Sequence, residues 1–196
     1  MNKKLIIEYV EALIVAAALA MVIRAFVLQP YTIPSGSMLN TLLIGDCVLV
    51  QKYAYGVKLP FTNEYLLDYG EPERGDVVVF EYPPNPSQDY IKRIVGLPGD
   101  TVTVRDKQLY VNGVKAVEPY VIHTRPDEIL PQNNFGPYKV PEGHYFMMGD
   151  NRDDSSDSRV WGPVKRDALV GKAWRLYWSW EGFSNIRWDR IGKLIE

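Results

Sequence analysis

Gly75-Asp76-Val77-Val78-Val79-Phe80 sets a turn dipeptide directly before four β-branched or aromatic residues, and Gly-Asp opens two further apolar or β-branched runs. Gly45-Asp46-Cys47-Val48-Leu49-Val50 and Gly99-Asp100-Thr101-Val102-Thr103-Val104 read the same way. Short runs of this kind, separated by Gly, Pro, Asn and Asp, are strands of an all-β domain. Between them, Gln108-Leu109-Tyr110-Val111, then Asn112-Gly113, then Val114 to Val117 predicts a hairpin, because Asn-Gly suits a type I′ turn. Further strands are expected at His144 to Met148 and Gly171 to Trp178, with Pro-rich connections at residues 82–86 and 118–141. The second connection is long enough to be an insertion or small subdomain.

The pattern stops abruptly toward the N-terminus. All 14 prolines and all 15 glycines of the 196-residue chain lie at or beyond Pro30. Leu5 to Leu28 is instead nearly continuous Leu, Ile, Val and Ala, about 36 Å long as a helix and sufficient to cross a bilayer. Glu8, Glu11 and Arg24 interrupt it, so these charges belong at headgroup depth. A cleavable secretory signal, with Ala18-Leu19-Ala20 as its cut site, and a core helix are the competing readings. A retained span is preferred, since domain sequence begins at Gln29-Pro30 and Arg24 and Phe26 still read as helix. Lys3 and Lys4 then place the N-terminus in the cytoplasm and the remainder outside.

With 22 basic and 24 acidic residues the net charge is −2, which offers nucleic acid no electrostatic footing. The single cysteine, Cys47, excludes an intramolecular disulfide and lies in a run that reads as a buried strand.

Three stretches carry polar groups in unusual settings. Pro34-Ser35-Gly36-Ser37-Met38-Leu39-Asn40-Thr41-Leu42 places two hydroxyls around a glycine, with apolar residues to anchor the turn. Taken alone, such a stretch is more often a plain loop. Tyr90-Ile91-Lys92-Arg93-Ile94-Val95-Gly96 puts a lysine inside an apolar strand, on one face with Tyr90 and Ile94, while Arg93 points the other way. If buried, that lysine has a lowered pKa and can accept a proton from serine; on an edge strand it is a solvated charge. Gly149-Asp150-Asn151-Arg152-Asp153-Asp154-Ser155-Ser156-Asp157-Ser158-Arg159 resembles a calcium loop only superficially, because Arg152, Ser155 and Trp161 occupy positions that need an acid or Asn, a Gly and a Glu. It can orient a lysine amine or pair with an arginine. His123 and His144 sit in no polar constellation and read as structural.

Together these pieces resemble the type I signal peptidases, membrane-bound serine–lysine proteases of the S26 class. The resemblance rests on four motifs: Ser35-Gly36-Ser37-Met38 with Thr41-Leu42; Gly45-Asp46 through Val50 with Lys52, Tyr55 and Gly56; Tyr90-Ile91-Lys92-Arg93 through Gly99-Asp100; and Gly149-Asp150-Asn151-Arg152 through Ser155, Asp157, Ser158, Arg159, Trp161 and Gly162. It implies Ser37 as nucleophile and Lys92 as general base, with the Ser37 N–H and the Ser35 hydroxyl as oxyanion hole. It further implies that Ser155 orients the Lys92 amine and that Asp157 and Arg159 form a supporting ion pair. Tyr31, Ile33, Pro34, Leu42, Tyr90 and Ile91 match positions lining shallow pockets that select Ala-x-Ala. Asn40 stands where the family usually has proline, and Cys47 where it usually has a larger apolar residue.

The implied fold is mainly β: a cytoplasmic N-terminus and one N-terminal transmembrane helix (together residues 1–28, the helix Leu5 to Leu28), then an antiparallel β-sheet catalytic domain (29–196) with an inserted β subdomain around 118–141. The implied partners are signal peptides, the lipid bilayer and the translocation machinery, with no metal or organic cofactor. The C-terminal aromatics Trp174, Tyr177, Trp178, Trp180, Phe183 and Trp188 add either a bilayer-touching face or packing between sheets. A catalytically idle peptide-binding domain, a sortase-like enzyme using Cys47 and a self-cleaving repressor are the rivals. They are opposed by the presence of Ser37, Lys92 and Ser155, by the buried setting of Cys47, and by the anchor.

Overall fold

The computed structural model describes residues 3–59, 64–182 and 185–196; Phe183 lies outside them. Helix α1 (Lys3–Phe26) buries none of its residues against the rest of the chain. It is long and apolar enough to cross a membrane. Strands β1 (Leu28–Thr32) and β2 (Asp46–Gln51) follow, then β3 (Gly56–Lys58), β4 (Tyr65–Asp68), β5 (Val77–Tyr82), β6 (Asn85–Gly96), β7 (Thr101–Arg105), β8 (Gln108–Val111), β9 (Val114–Lys115), β10 (Phe135–Lys139) and β11 (His144–Met148). Short helix α2 (Ser158–Trp161), β12 (Val164–Lys165), β13 (Leu169–Glu181) and β14 (Asn185–Ile186) complete the chain.

The principal sheet runs β1-β2-β13-β5-β6-β11-β12, with β14 paired to β13, and its pairings are antiparallel. A mainly β, antiparallel fold behind one apolar helix is therefore what the chain adopts. Burial on both faces explains the uninterrupted apolar run of β5. Val77 and Val79 pack with Met38, Leu42, Val48 and Leu176 on one side. Val78 and Phe80 pack with Ile94, Tyr145, Met147 and Leu169 on the other. Alternate residues of a strand face opposite ways, so a strand covered on both sides needs apolar side chains at every position.

A second sheet, β10-β7-β8-β9, starts at Thr101. Its Val102, Val104, Leu109 and Val111 pack on Val95, Phe146 and Met148 of the principal sheet. The expected insertion at 118–141 supplies only β10 to it, and β7, β8 and β9 come from residues 101–115. The stretch before β10 crosses instead to the loop after β11, where Ile122 bridges Asn151. The expected connection at 82–86 is a tight turn, with β6 beginning at Asn85. The strand expected at Gly171 to Trp178 is longer, and β13 joins β2 to β5 across the sheet.

The C-terminus is tied to the start of β2 through one carboxylate. Asp46 is fully buried and accepts from Arg190 Nη2 at 2.5 Å, Ser179 Oγ at 2.6 Å and the Leu43 N–H at 2.8 Å. Gly45, just before it, has φ +87 and touches the Trp180 carbonyl where any Cβ would collide. Asp46→Ala leaves Arg187 and Arg190 without their shared partner. It should destabilise the protein by about 3–5 kcal/mol, read as a lowered urea midpoint of the full chain in detergent; an unchanged midpoint would show that the carboxylate does not hold this end.

Candidate active site

Residues 33–45 form the turn between β1 and β2, closed at its base by Ile33 N–H to the Asp46 carbonyl and Gly45 N–H to the Ile33 carbonyl, both 2.9 Å. Met38 and Leu42, both fully buried, pin it to the core. Ser37 is held beside that anchor, half-buried, with Ser35 exposed next to it. Gly36 adopts no positive φ, so its freedom of conformation is not used here.

Strand β6 brings Lys92 up against this turn. Its Nζ donates to Ser37 Oγ at 2.7 Å and to the Ile91 carbonyl at 3.0 Å. The residue is 4% exposed. Burial lowers its pKa from 10.5 to about 8, although Asp157 and Asp150 act in the opposite direction. Desolvation wins because neither carboxylate bonds to the amine. An amine poised near neutrality, one hydrogen bond from a hydroxyl, is an acid–base pair suited to activating that hydroxyl.

The loop 149–157 closes the third side. Asp150 accepts from Arg93 Nε at 2.9 Å, Arg93 Nη2 at 2.8 Å and Thr41 Oγ1 at 2.5 Å, and is wholly buried. The Asn151 main-chain N–H donates to the Ser37 carbonyl at 3.1 Å and its Nδ2 to the Gly36 carbonyl at 3.1 Å. A Cβ at Gly149 would strike both the Ser37 carbonyl and the Ser155 side chain, so only glycine lets the loop lie this close. Asp157 and Arg159 form a buried fork, Nε to Oδ1 and Nη2 to Oδ2 both at 2.8 Å. Asp157 also accepts from the Gly149 and Arg159 N–H groups.

Ser155 stands apart from its expected role. Its Oγ is buried but makes no hydrogen bond among the described residues, and the Lys92 amine is held by Ser37 and Ile91 instead.

A cleft of about 450 Å³ opens over the pair, lined by Pro34, Ser35, Gly36, Ser37, Tyr90, Ile91 and Lys92 together with Asp89, Asp154 and Ser156. Of the six expected pocket residues, Pro34, Tyr90 and Ile91 line it. Tyr31 reaches across from β1, its hydroxyl donating to Asp89 at 2.8 Å. Burial, reinforced by Asp89, pushes the Tyr31 phenol well above its ordinary pKa. Ile33 and Leu42 are core residues, 3% and 0% exposed, and back the wall rather than line it. His123 pairs with Asp153 and His144 with the Glu142 carbonyl, neither bonding to Ser37. Among the described residues no group of three or more His, Cys, Asp or Glu side chains is placed to hold a metal.

Sequence reasoning missed the partner of Arg93 and the double contact from Asn151. The alternation that turned Arg93 away from Lys92 was the available signal for the first, and an arginine in an apolar strand demands a carboxylate. The second has no signal in composition.

The family profile described as signal peptidase, peptidase S26, matches residues 6–178. Signal peptidase I of Pseudomonas aeruginosa is 41% identical over 98% of this chain and 81% of its own length. That of Pseudomonas fluorescens is 40% identical over 92% and 75%, and that of Bacillus licheniformis 42% over 81% and 80%. A solved structure of a signal peptidase I from Enterococcus faecalis is 37% identical, with a TM-score of 0.45, covering 54% of this chain and 98% of its own. Matched by that profile along most of its length, and by relatives 40–41% identical over nearly all of it, the chain belongs to the peptidase S26 family of signal peptidases and is a peptide-bond hydrolase.

Proposed function

We propose that this protein removes N-terminal signal peptides from exported preproteins, using Ser37 as nucleophile and Lys92 as general base. The observation that carries the reading is the 2.7 Å approach of a buried lysine amine to a serine hydroxyl at the floor of an open cleft. Neutral Lys92 takes the hydroxyl proton as Ser37 Oγ attacks the scissile carbonyl. The tetrahedral oxyanion is met by the Ser37 N–H and the Ser35 hydroxyl. Lys92 then passes its proton to the departing amine. It next deprotonates a water, which releases the signal peptide from the Ser37 ester and regenerates the enzyme.

The cleft favours an extended peptide. β11 pairs with β6 only from Arg93 onward, so the edge of β6 at Asp89 to Lys92 is left open on that side. Pro34, Ser35 and Gly36 form the opposite wall. A strand laid there directs every second side chain to the same face. Tyr90, Ile91 and Pro34 give the cleft an apolar wall, with Ile91 packed on the core cluster that contains Ile33 and Leu42, and we read it as taking small side chains at two alternate positions, hence Ala-x-Ala.

In this reading residues 1–28 are the anchor and 29–196 the catalytic unit. Lys3 and Lys4 keep the N-terminus cytoplasmic, and the short link from Arg24 to Ser37 tethers the nucleophile at the outer surface of the bilayer, where translocated substrates emerge. Exposed Trp180 and Trp188 are suited to the same interface. Asp157 and Arg159 brace the loop that carries Ser155.

Cleavage of an Ala-x-Ala preprotein in detergent should fall at least about 10³-fold in Ser37→Ala and Lys92→Ala and stay within about twofold in His144→Ala. Activity surviving Lys92→Ala would place the base elsewhere. Because only the neutral amine is competent, kcat/KM should rise with pH along a single limb with an apparent pKa about 8; a limb near 10.5 would mean a solvated lysine.

A further inference from the structure

The Ser37 N–H is a useful oxyanion donor only if its peptide plane is fixed. In the Gly36–Ser37 bond, which is trans, the carbonyl and the N–H point in opposite directions. Whatever holds the Gly36 carbonyl therefore aims the Ser37 N–H. Two groups hold it: the Leu39 N–H at a long 3.3 Å, and Asn151 Nδ2 at 3.1 Å. The Ser37 N–H itself has no acceptor among the described residues, so it is free for a ligand.

Asn151 is in turn prevented from rotating. It is 1% exposed, and its Oδ1 accepts from Thr124 Oγ1 at 2.9 Å. A backbone carbonyl can only accept, so the amide nitrogen must face Gly36, and the Thr124 hydroxyl satisfies the oxygen on the other side. Thr124 lies on the stretch that zips onto the catalytic loop, through Ile122 N–H to the Asp150 carbonyl at 2.9 Å and Arg125 N–H to Asp153 Oδ2 at 2.9 Å.

We propose that Asn151, oriented by Thr124, is a positioning residue for the transition state: it clamps the Gly36–Ser37 peptide so that the Ser37 N–H is aimed at the developing oxyanion. The inference rests on Ser37 being the nucleophile. It assigns a role to residues 118–125 as well, which carry the hydroxyl that sets the Asn151 amide.

Loss of one oxyanion donor costs about 10²–10³ in kcat, and a loosened donor costs less. In the full chain in detergent, Asn151→Ala should lower kcat about 10–100-fold with KM within about twofold, and the acid limb set by Lys92 should not move. Thr124→Val should act in the same direction by a few-fold, and Thr124→Ser should restore parental activity. A peptide aldehyde, which forms a tetrahedral adduct on the serine, should lose affinity in step with kcat. An uncleavable peptide of the same sequence should bind as before.

Parental kcat in Asn151→Ala, or in Thr124→Val where Asn151→Ala does not fold, or equal losses for aldehyde and uncleavable peptide, would overturn the proposal. Thr124→Val keeps the test decisive if Asn151→Ala does not fold. Ser37→Ala is assayed in parallel: continued cleavage there would refute the nucleophile itself, whereas an inactive Ser37→Ala beside a fully active Asn151→Ala would refute only the clamp.

Discussion

The buried pair between Arg93 and Asp150 is the constraint on which the rest of the site depends. Both side chains are almost completely out of water, and the guanidinium grips the carboxylate through Nε and Nη2. Its remaining nitrogen, Nη1, donates to the Gly75 carbonyl, and Tyr120 stacks on its face at 3.8 Å. Asp150 uses its second oxygen for Thr41 of the serine turn as well. One ion pair thus joins β6, the turn before β5, the turn bearing Ser37 and the loop bearing Asn151. Replacing such a pair by apolar residues is often neutral for stability, but removing one partner costs about 3–5 kcal/mol. Its value here is geometric: Lys92 is the neighbour of Arg93, and Ser37 sits one helical turn's length of chain before Thr41.

That geometry is maintained against the preference of the lysine. A pKa of about 8 instead of 10.5 corresponds to roughly 3 kcal/mol set against the folded state wherever Lys92 is protonated. The sign follows from linkage. Below pH 8 the lysine is protonated in both states and the whole penalty is present; between pH 8 and 10.5 the unfolded chain binds more protons, so folding is favoured progressively as pH rises. A protein selected for stability alone would place methionine there. The surrounding ion pairs, Arg93 with Asp150 and Arg159 with Asp157, hold the site together, and among the described residues the amine itself pairs with no carboxylate.

Local features were legible in the sequence and long-range ones were not. Asn112-Gly113 announces its turn, and both residues take positive φ. The apolar run of β5 announces a strand, and the abrupt loss of Gly and Pro before residue 30 announces the helix. No periodicity reveals that Thr101 opens a second sheet, or that β13 spans between β2 and β5, because pairing over tens of residues leaves no local mark. The same holds in the site. Ser37 and Lys92 were legible as chemistry in motifs, but their meeting across 55 residues is a product of the sheet. Ile33 and Leu42 match pocket positions in their motif, and in the fold both are buried in the core. The resemblance puts Ser155 on the lysine, whereas its Oγ has no hydrogen-bond partner among the described residues and lies against Gly149, a contact that a Cβ would block.

Whether Lys92 is a dry, readily neutralised amine is decided by titrating that side chain itself. NMR of the full chain in detergent, labelled at lysine, with Lys92→Met to assign the signal, reports the ionisation without reference to turnover. A midpoint of about 8 is expected. A midpoint near 10.5, in a protein that still folds and cleaves, would contradict it.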